Sequence, residues 1–171
     1  MVGETHARRR DAAQYAANGT LPDATERTAM TDCIFCKIAA KQVPANLVYE
    51  DEHTLAFMDL GQVNPGHALV ATRSHVENIF GLDDTLASAV FRTTTRVARA
   101  AREAFGAPGM TLLQANGVAG AQTVFHFHLH LLPRWPQDGM SLAWPAKNPS
   151  REILQGYAEK LRKALAGQNG E

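Results

Sequence analysis

The sequence predicts an α+β fold, with about five strands in a mostly antiparallel sheet and two main helices. Two stretches carry a helical period, one after Asp83 or Asp84 and one after Ser150. Short apolar runs bounded by turn signals gather in a group of three before the first helix and a group of two after it. The chain has no internal repeat.

Element by element, "CIFCKI" reads as a short helical turn. "NLVYE" and "TLAFMD" are strand-like and flank the polar "DEH", a hairpin signal. "VNPGHALVATR" places Pro65-Gly66 in the order a type II turn needs and then runs into a third strand. The first long helix, capped by Asp83 or Asp84, sets Leu86, Val90, Phe91, Val97, Ala101 and Phe105 on one face, and "GAPG" stops it. "MTLLQAN" and "TVFHFHLHLL" are the remaining strands, joined through "GVAGA". Ser150 caps a second amphipathic helix carrying Ile153, Leu154, Tyr157, Leu161 and Leu165, with Gly167 behind it. Residues 1–29 read as an N-terminal extension, with few large apolar residues and a turn-like "NGTLPD"; one domain then spans 30–171.

Lys plus Arg equals Asp plus Glu at 17 each, which argues against a large basic surface for nucleic acid or an anionic membrane. No apolar stretch approaches a membrane span, and the N-terminus lacks a signal-peptide core. These features predict a cytoplasmic protein, where a disulfide between Cys33 and Cys36 is disfavoured.

"HFHLH" places three of the chain's seven histidines at alternate positions. In a strand His126, His128 and His130 share one face, ~6.6 Å between neighbours, while Phe127, Leu129 and Leu131 take the core face. A lone inward histidine is usually a satisfied core residue. Three in alternation would be a costly substitute for Val, Ile or Leu unless they carry chemistry. Two chemistries suit them. One is metal ligation; the other is nucleophilic attack by a neutral imidazole on phosphorus, helped by its neighbours.

Cys33 and Cys36 form C-x-x-C. A thioredoxin-like redox role wants a preceding strand, and none is present. Zinc needs two further ligands, for which His6, His53, His67, His75 and the triad are all candidates on spacing. Two buried thiols in an apolar turn are the bland alternative.

The pattern "HFHLHLL" resembles the signature of the histidine triad (HIT) superfamily. From about Cys33 to Trp135 the chain is similar to its nucleotide-binding (HINT-like) branch, in particular the bacterial zinc-containing type. The resemblance implies a HIT-like fold and a homodimer joined through the helix from residue 84 and its neighbouring strand. It implies a hydrolase that cleaves purine nucleotide conjugates at the α-phosphate, phosphoramidates or dinucleoside polyphosphates, through a nucleotidyl-histidine. His128 would be the nucleophile, and His130 and His67 would face the phosphate oxygens. Asn116 and Thr123 would hydrogen-bond the phosphate or leaving group. Asp59 would accept the ribose hydroxyls, with Ile34, Phe35, Phe57, Leu60 and Leu69 as the purine slot; without the resemblance those five apolar residues read as core. Structural zinc would sit on Cys33, Cys36, His75 and His126, with no catalytic metal required.

Two features depart from the family pattern. Ala121 stands where relatives carry glycine, which puts the placement of Thr123 in question if the backbone there has positive φ. The tail is only loosely similar; a tryptophan-containing tail reaches the partner's active site in some members, and Trp144 is the residue that could do so here. Nucleotidyl transfer, as in the uridylyltransferase relatives, is disfavoured because those replace the last histidine with glutamine. A nucleotide-binding sensor with incidental turnover is the alternative from another class.

Overall fold

The computed structural model describes residues 32–168, so the extension 1–29, and His6 within it, lie outside the described residues. Contacts divide the chain into two units, one ending at Asp138 and the other beginning at Gly139.

The first unit is a five-stranded antiparallel sheet in the order β1-β2-β3-β5-β4. The strands are β1 (Leu47–Glu50), β2 (Thr54–Met58), β3 (Ala68–Thr72), β4 (Gly109–Leu113) and β5 (His128–Arg134). Two helices accompany them, the short α1 (Ile34–Ala39) and the long α2 (Asp84–Phe105). Asp51 makes the β1–β2 hairpin: its carboxylate accepts from the amides of His53 (3.0 Å) and Thr54 (2.8 Å). Gly66 has φ 88°, as a type II turn demands, and a Cβ there would lie 2.5 Å from the Phe105 ring. Asp83 caps α2 by accepting from the Leu86 amide at 2.8 Å, and Gly106 closes the helix in the left-handed region.

The sheet buries both faces. On one, Ala56, Ala68, Val70, Phe127, Leu129 and Leu131 pack with Val90 and Val97 of α2. On the other, Leu55, Phe57, Leu69 and Ala71 pack with Phe35 and Ile38 of α1. Opposed residues of an antiparallel pair share a face. His128 lies opposite Ala71 and His130 opposite Leu69, which sets both rings on the α1 side. The alternation predicted for "FHLHL" therefore holds: Phe127, Leu129 and Leu131 are core, and the histidines face away from it.

Three expectations need correction. Phe91 and Phe105 are 57% and 43% exposed; the buried face of α2 is Ala89, Val90, Thr93, Thr94, Val97 and Ala101. The histidine strand begins at His128, not Thr123, because the Phe127 amide leaves the ladder to donate to the Val76 carbonyl at 2.6 Å. Gly167 lies inside the last helix rather than behind it.

The second unit is helix α3 (Arg151–Gln168), preceded by an irregular stretch from Gly139. Ser150 caps it as predicted, its hydroxyl accepting from the Ile153 amide at 3.4 Å. Its apolar residues Ile153, Leu154, Tyr157, Leu161 and Leu165 are all exposed, as is Trp144. Among the described residues no helix is long and apolar enough to cross a membrane.

Candidate active site and metal centre

Cys33 caps α1, Cys36 lies one turn on, His75 follows β3 and His126 precedes β5. Their donor atoms all lie within 4.8 Å of one another. The Cys33 sulfur is 3.3 Å from His126 Nδ1, and the Cys36 sulfur is 3.3 Å from His75 Nδ1 and 3.5 Å from His126 Nδ1. A tetrahedral zinc with usual bond lengths sets its sulfur and nitrogen ligands roughly 3.5 Å apart, so this Cys₂His₂ set fits that ion. The Nε2–H of His126 donates to the Thr72 carbonyl at 2.8 Å, which turns Nδ1 towards the sulfurs. The Cys33 thiol is held well below the ordinary thiol range, chiefly by a hydrogen bond with Cys36 and then by His126 and His75, against the opposing effect of burial. Cys36 is pushed up by the same bond, by burial and by the charge of Cys33.

The next histidine of the triad faces elsewhere. His128 is 8% exposed, and its Nδ1–H donates to the His126 carbonyl at 2.6 Å. Nε2 is thereby left as the lone-pair nitrogen. Burial holds its pKa below the ordinary value, with the charge of His126 acting the same way and the bond to the His126 carbonyl opposing. The ring packs edge-on against Phe35 and against His130, with centroids 5.1 Å away in both cases. Burial, then His128 and His67, bring His130 down to about 4. Both rings are neutral at pH 7, the state in which an imidazole can attack or ligate.

His130 Nδ1 lies 2.9 Å from Nε2 of His67, which comes from the turn before β3. The His67 Nδ1–H donates to the Gly61 carbonyl at 3.1 Å. Asp59, just after β2, places Oδ2 3.4 Å from His67 and 3.6 Å from His130. The adjacency of β2, β3 and β5 brings these residues together across 71 positions of sequence.

Asn116 and Thr123 stand apart from this cluster in their bonding. The Asn116 Oδ1 accepts from the Ile79 amide at 2.8 Å, and its amide group pairs with that of Gln114. Thr123 is exposed at the end of the loop. Sequence reasoning gave no role to its neighbour Gln122, which is buried and ties the loop down. The Gln122 side chain accepts from the Gly117 amide (2.7 Å) and donates to the carbonyls of Glu77 (2.6 Å) and Val124 (3.1 Å). A Gln in a Gly/Ala-rich loop gives little notice of such a role.

Ala121 has φ 65° and ψ 28°, the left-handed conformation that the departure from glycine had raised. An L-residue there costs about 1–2 kcal/mol, of which the greater unfolded-state freedom of glycine returns ~0.5–1. Ala121→Gly should therefore raise stability by about 0.5–1 kcal/mol, read as a Tm increase of roughly 2–4 °C in thermal denaturation. A lower Tm would show that the loop does not hold this conformation.

Of the residues expected to line a purine slot, Phe35, Phe57 and Leu69 belong to one buried cluster, and the rings of Phe35 and Phe57 meet edge-on at 5.3 Å. Ile34 is 41% and Leu60 95% exposed, at the border of that cluster in sequence.

Known proteins share this arrangement of elements. "Protein hit" of Bacillus subtilis is 42% identical over 138 residues, covering 79% of this chain and 95% of that protein. The adenosine 5′-monophosphoramidase of Schizosaccharomyces pombe is 30% identical, covering 75% and 95%. A HIT family protein from Bacillus anthracis superposes with a TM-score of 0.75 at 41% identity, over 78% of this chain and 96% of that one. A zinc-bound histidine triad family protein from Mycobacterium smegmatis gives 0.63 at 33% identity, over 79% and 99%. The HIT domain family model matches residues 40–137, and with that match, this sheet and these likenesses, the chain belongs to the HIT family.

Proposed function

We propose that this protein is a nucleotide hydrolase that cleaves purine nucleotide conjugates at the α-phosphate through a covalent intermediate on His128. The observation that carries the reading is the bond from His128 Nδ1–H to the His126 carbonyl, which fixes the tautomer and presents Nε2 as the nucleophile. The relative named as an adenosine 5′-monophosphoramidase supports the substrate class.

Nε2 of His128 attacks the α-phosphorus and forms a P–N bond as the amine or phosphate departs with its electron pair. Water then breaks that bond and releases the nucleoside monophosphate. His130 and His67 sit beside the nucleophile to orient the phosphate oxygens, Asp59 takes the ribose hydroxyls, and Phe35, Phe57 and Leu69 give an apolar wall beside Ile34 and Leu60. Asn116 and Thr123 complete the phosphate end once the substrate draws on them. Zinc on Cys33, Cys36, His75 and His126 is structural, pinning α1 to the segment that leads into β5.

A second copy of the chain covers the outer face of α2 and edge strand β4 in this reading. Phe91, Leu112 and Leu113 are exposed there, beside a groove of about 400 Å³ lined by Phe91, Ala98, Met110 and Leu112.

The test is a single-turnover reaction with an adenosine phosphoramidate, quenched in denaturant and read by intact-protein mass. A transient increment of one AMP group on a peptide containing His128 is expected. AMP release with no adduct at any time point would replace the covalent route with direct attack by water. Turnover of dinucleoside polyphosphates and aminoacyl adenylates in the same assay ranks the conjugate classes.

A further inference from the structure

We infer that Asp59, His67 and His130 form a second metal site, for a borderline divalent transition ion such as Zn²⁺, Co²⁺ or Ni²⁺, separate from the Cys₂His₂ cluster.

Three donor atoms converge. His67 Nε2, His130 Nδ1 and Asp59 Oδ2 are separated by 2.9, 3.4 and 3.6 Å. A four-coordinate ion with N and O ligands at ~2.0–2.2 Å holds them roughly 3.3–3.5 Å apart, so an ion enters with shifts of a few tenths of an ångström. Two imidazoles and one carboxylate make a donor set for borderline ions rather than for Mg²⁺ or Ca²⁺, which prefer oxygen.

The supporting shell is built as well. One peptide neighbour, Gly61, orients two of the three ligands. Its carbonyl accepts the His67 Nδ1–H at 3.1 Å, which turns Nε2 inward. Its amide donates to Asp59 Oδ1 at 2.8 Å, which turns Oδ2 towards the rings. The Gln62 side chain braces the same turn, donating to the Asp59 carbonyl at 2.6 Å and the His67 carbonyl at 2.7 Å.

Without an ion, the short His67–His130 contact is bridged by one proton, carried on His130 Nδ1 because His67 carries its own on Nδ1. An ion replaces that bridge, and the His130 proton moves to Nε2. No proton need leave the protein. His67 is enclosed at 4% side-chain exposure, whereas His130 and Asp59 are 26% and 21% exposed. The site is therefore walled by protein on one side and open on the other. Its fourth position is left for water, and an ion held there competes with the ribose hydroxyls and phosphate oxygens that Asp59, His67 and His130 receive in the proposed reaction.

The binding claim is independent of the proposed catalysis, because it is read without a nucleotide. Full-length protein with its cysteine cluster zinc-loaded is dialysed against micromolar CoCl₂. We expect one cobalt per chain, with d–d absorption and no sulfur-to-cobalt band. His67→Gln and Asp59→Asn should each weaken cobalt uptake at least tenfold while the zinc content stays at one per chain, which shows that the variants are folded. His53→Gln should leave uptake unchanged. No cobalt on the wild-type chain, a sulfur-to-cobalt band in place of added metal, or uptake that ignores both substitutions would each overturn the site.

Discussion

Replacing His128 with alanine should reduce turnover of an adenosine phosphoramidate on the order of 10⁴-fold or more, the scale at which a covalent nucleophile is lost. The fold should survive. His128 projects towards Phe35 and His130 rather than into the α2-side core, so its ring is not part of that packing. The variant should keep one zinc per chain, because the metal cluster uses His126 and not His128. Initial rates and metal content measured on one preparation check both statements. A rate within tenfold of wild type would transfer the chemistry to another group or make turnover incidental to nucleotide binding. Loss of zinc together with activity would mean that all three histidines serve the metal.

The second large effect concerns the metal itself. Cys33→Ser should lose the ion and destabilise the first unit by on the order of 3–5 kcal/mol, a Tm drop of ~10 °C or more. The reasoning is topological. α1 buries only Phe35 and Ile38. Six residues of helix have little hold of their own on a sheet, since short helices are marginal without tertiary support. The cluster joins that turn to residues 75 and 126 across most of the unit. Chelation of the wild-type protein should reproduce the loss, and zinc should restore it. An unchanged Tm after complete metal removal would reduce the cysteines to ordinary buried thiols.

Much of this fold is legible in the sequence, and the misreadings have physical causes. Periodicity locates every strand and both long helices, although α3 leaves its apolar residues exposed. It misplaces Phe91 and Phe105 by assuming that the largest apolar residues point inward. α2 instead turns alanines and threonines to the sheet: Thr93 hydroxyl-bonds Thr54 at 2.7 Å, and Ala89 and Ala101 lie on the same buried face. Small side chains allow a close helix-on-sheet approach, which a scale that weights bulk cannot register. The strand containing the histidines begins late because the backbone at Phe127 answers to Val76, a residue 51 positions earlier, and an alternating pattern carries no sign of that.

The site was legible in a different way. The four Cys and His residues that the structure gathers follow from motif and resemblance together; spacing alone had left all seven histidines open as metal ligands. The convergence of Asp59, His67 and His130 depends on strand order, which one sequence does not display. Gln122 was silent because its work is done by an amide side chain on distant carbonyls, and Asn116 was placed by likeness where the structure has it bracing Ile79.

One carbonyl has a wider consequence. The oxygen that selects the tautomer of His128 belongs to His126, whose ring is turned towards the two sulfurs. Reactivity and architecture are thus joined through a single amino acid. A descendant that shed both cysteines would keep residue 126 only through its bonds to Thr72 and Val124, a looser seat for the carbonyl that sets where the neighbouring imidazole carries its hydrogen.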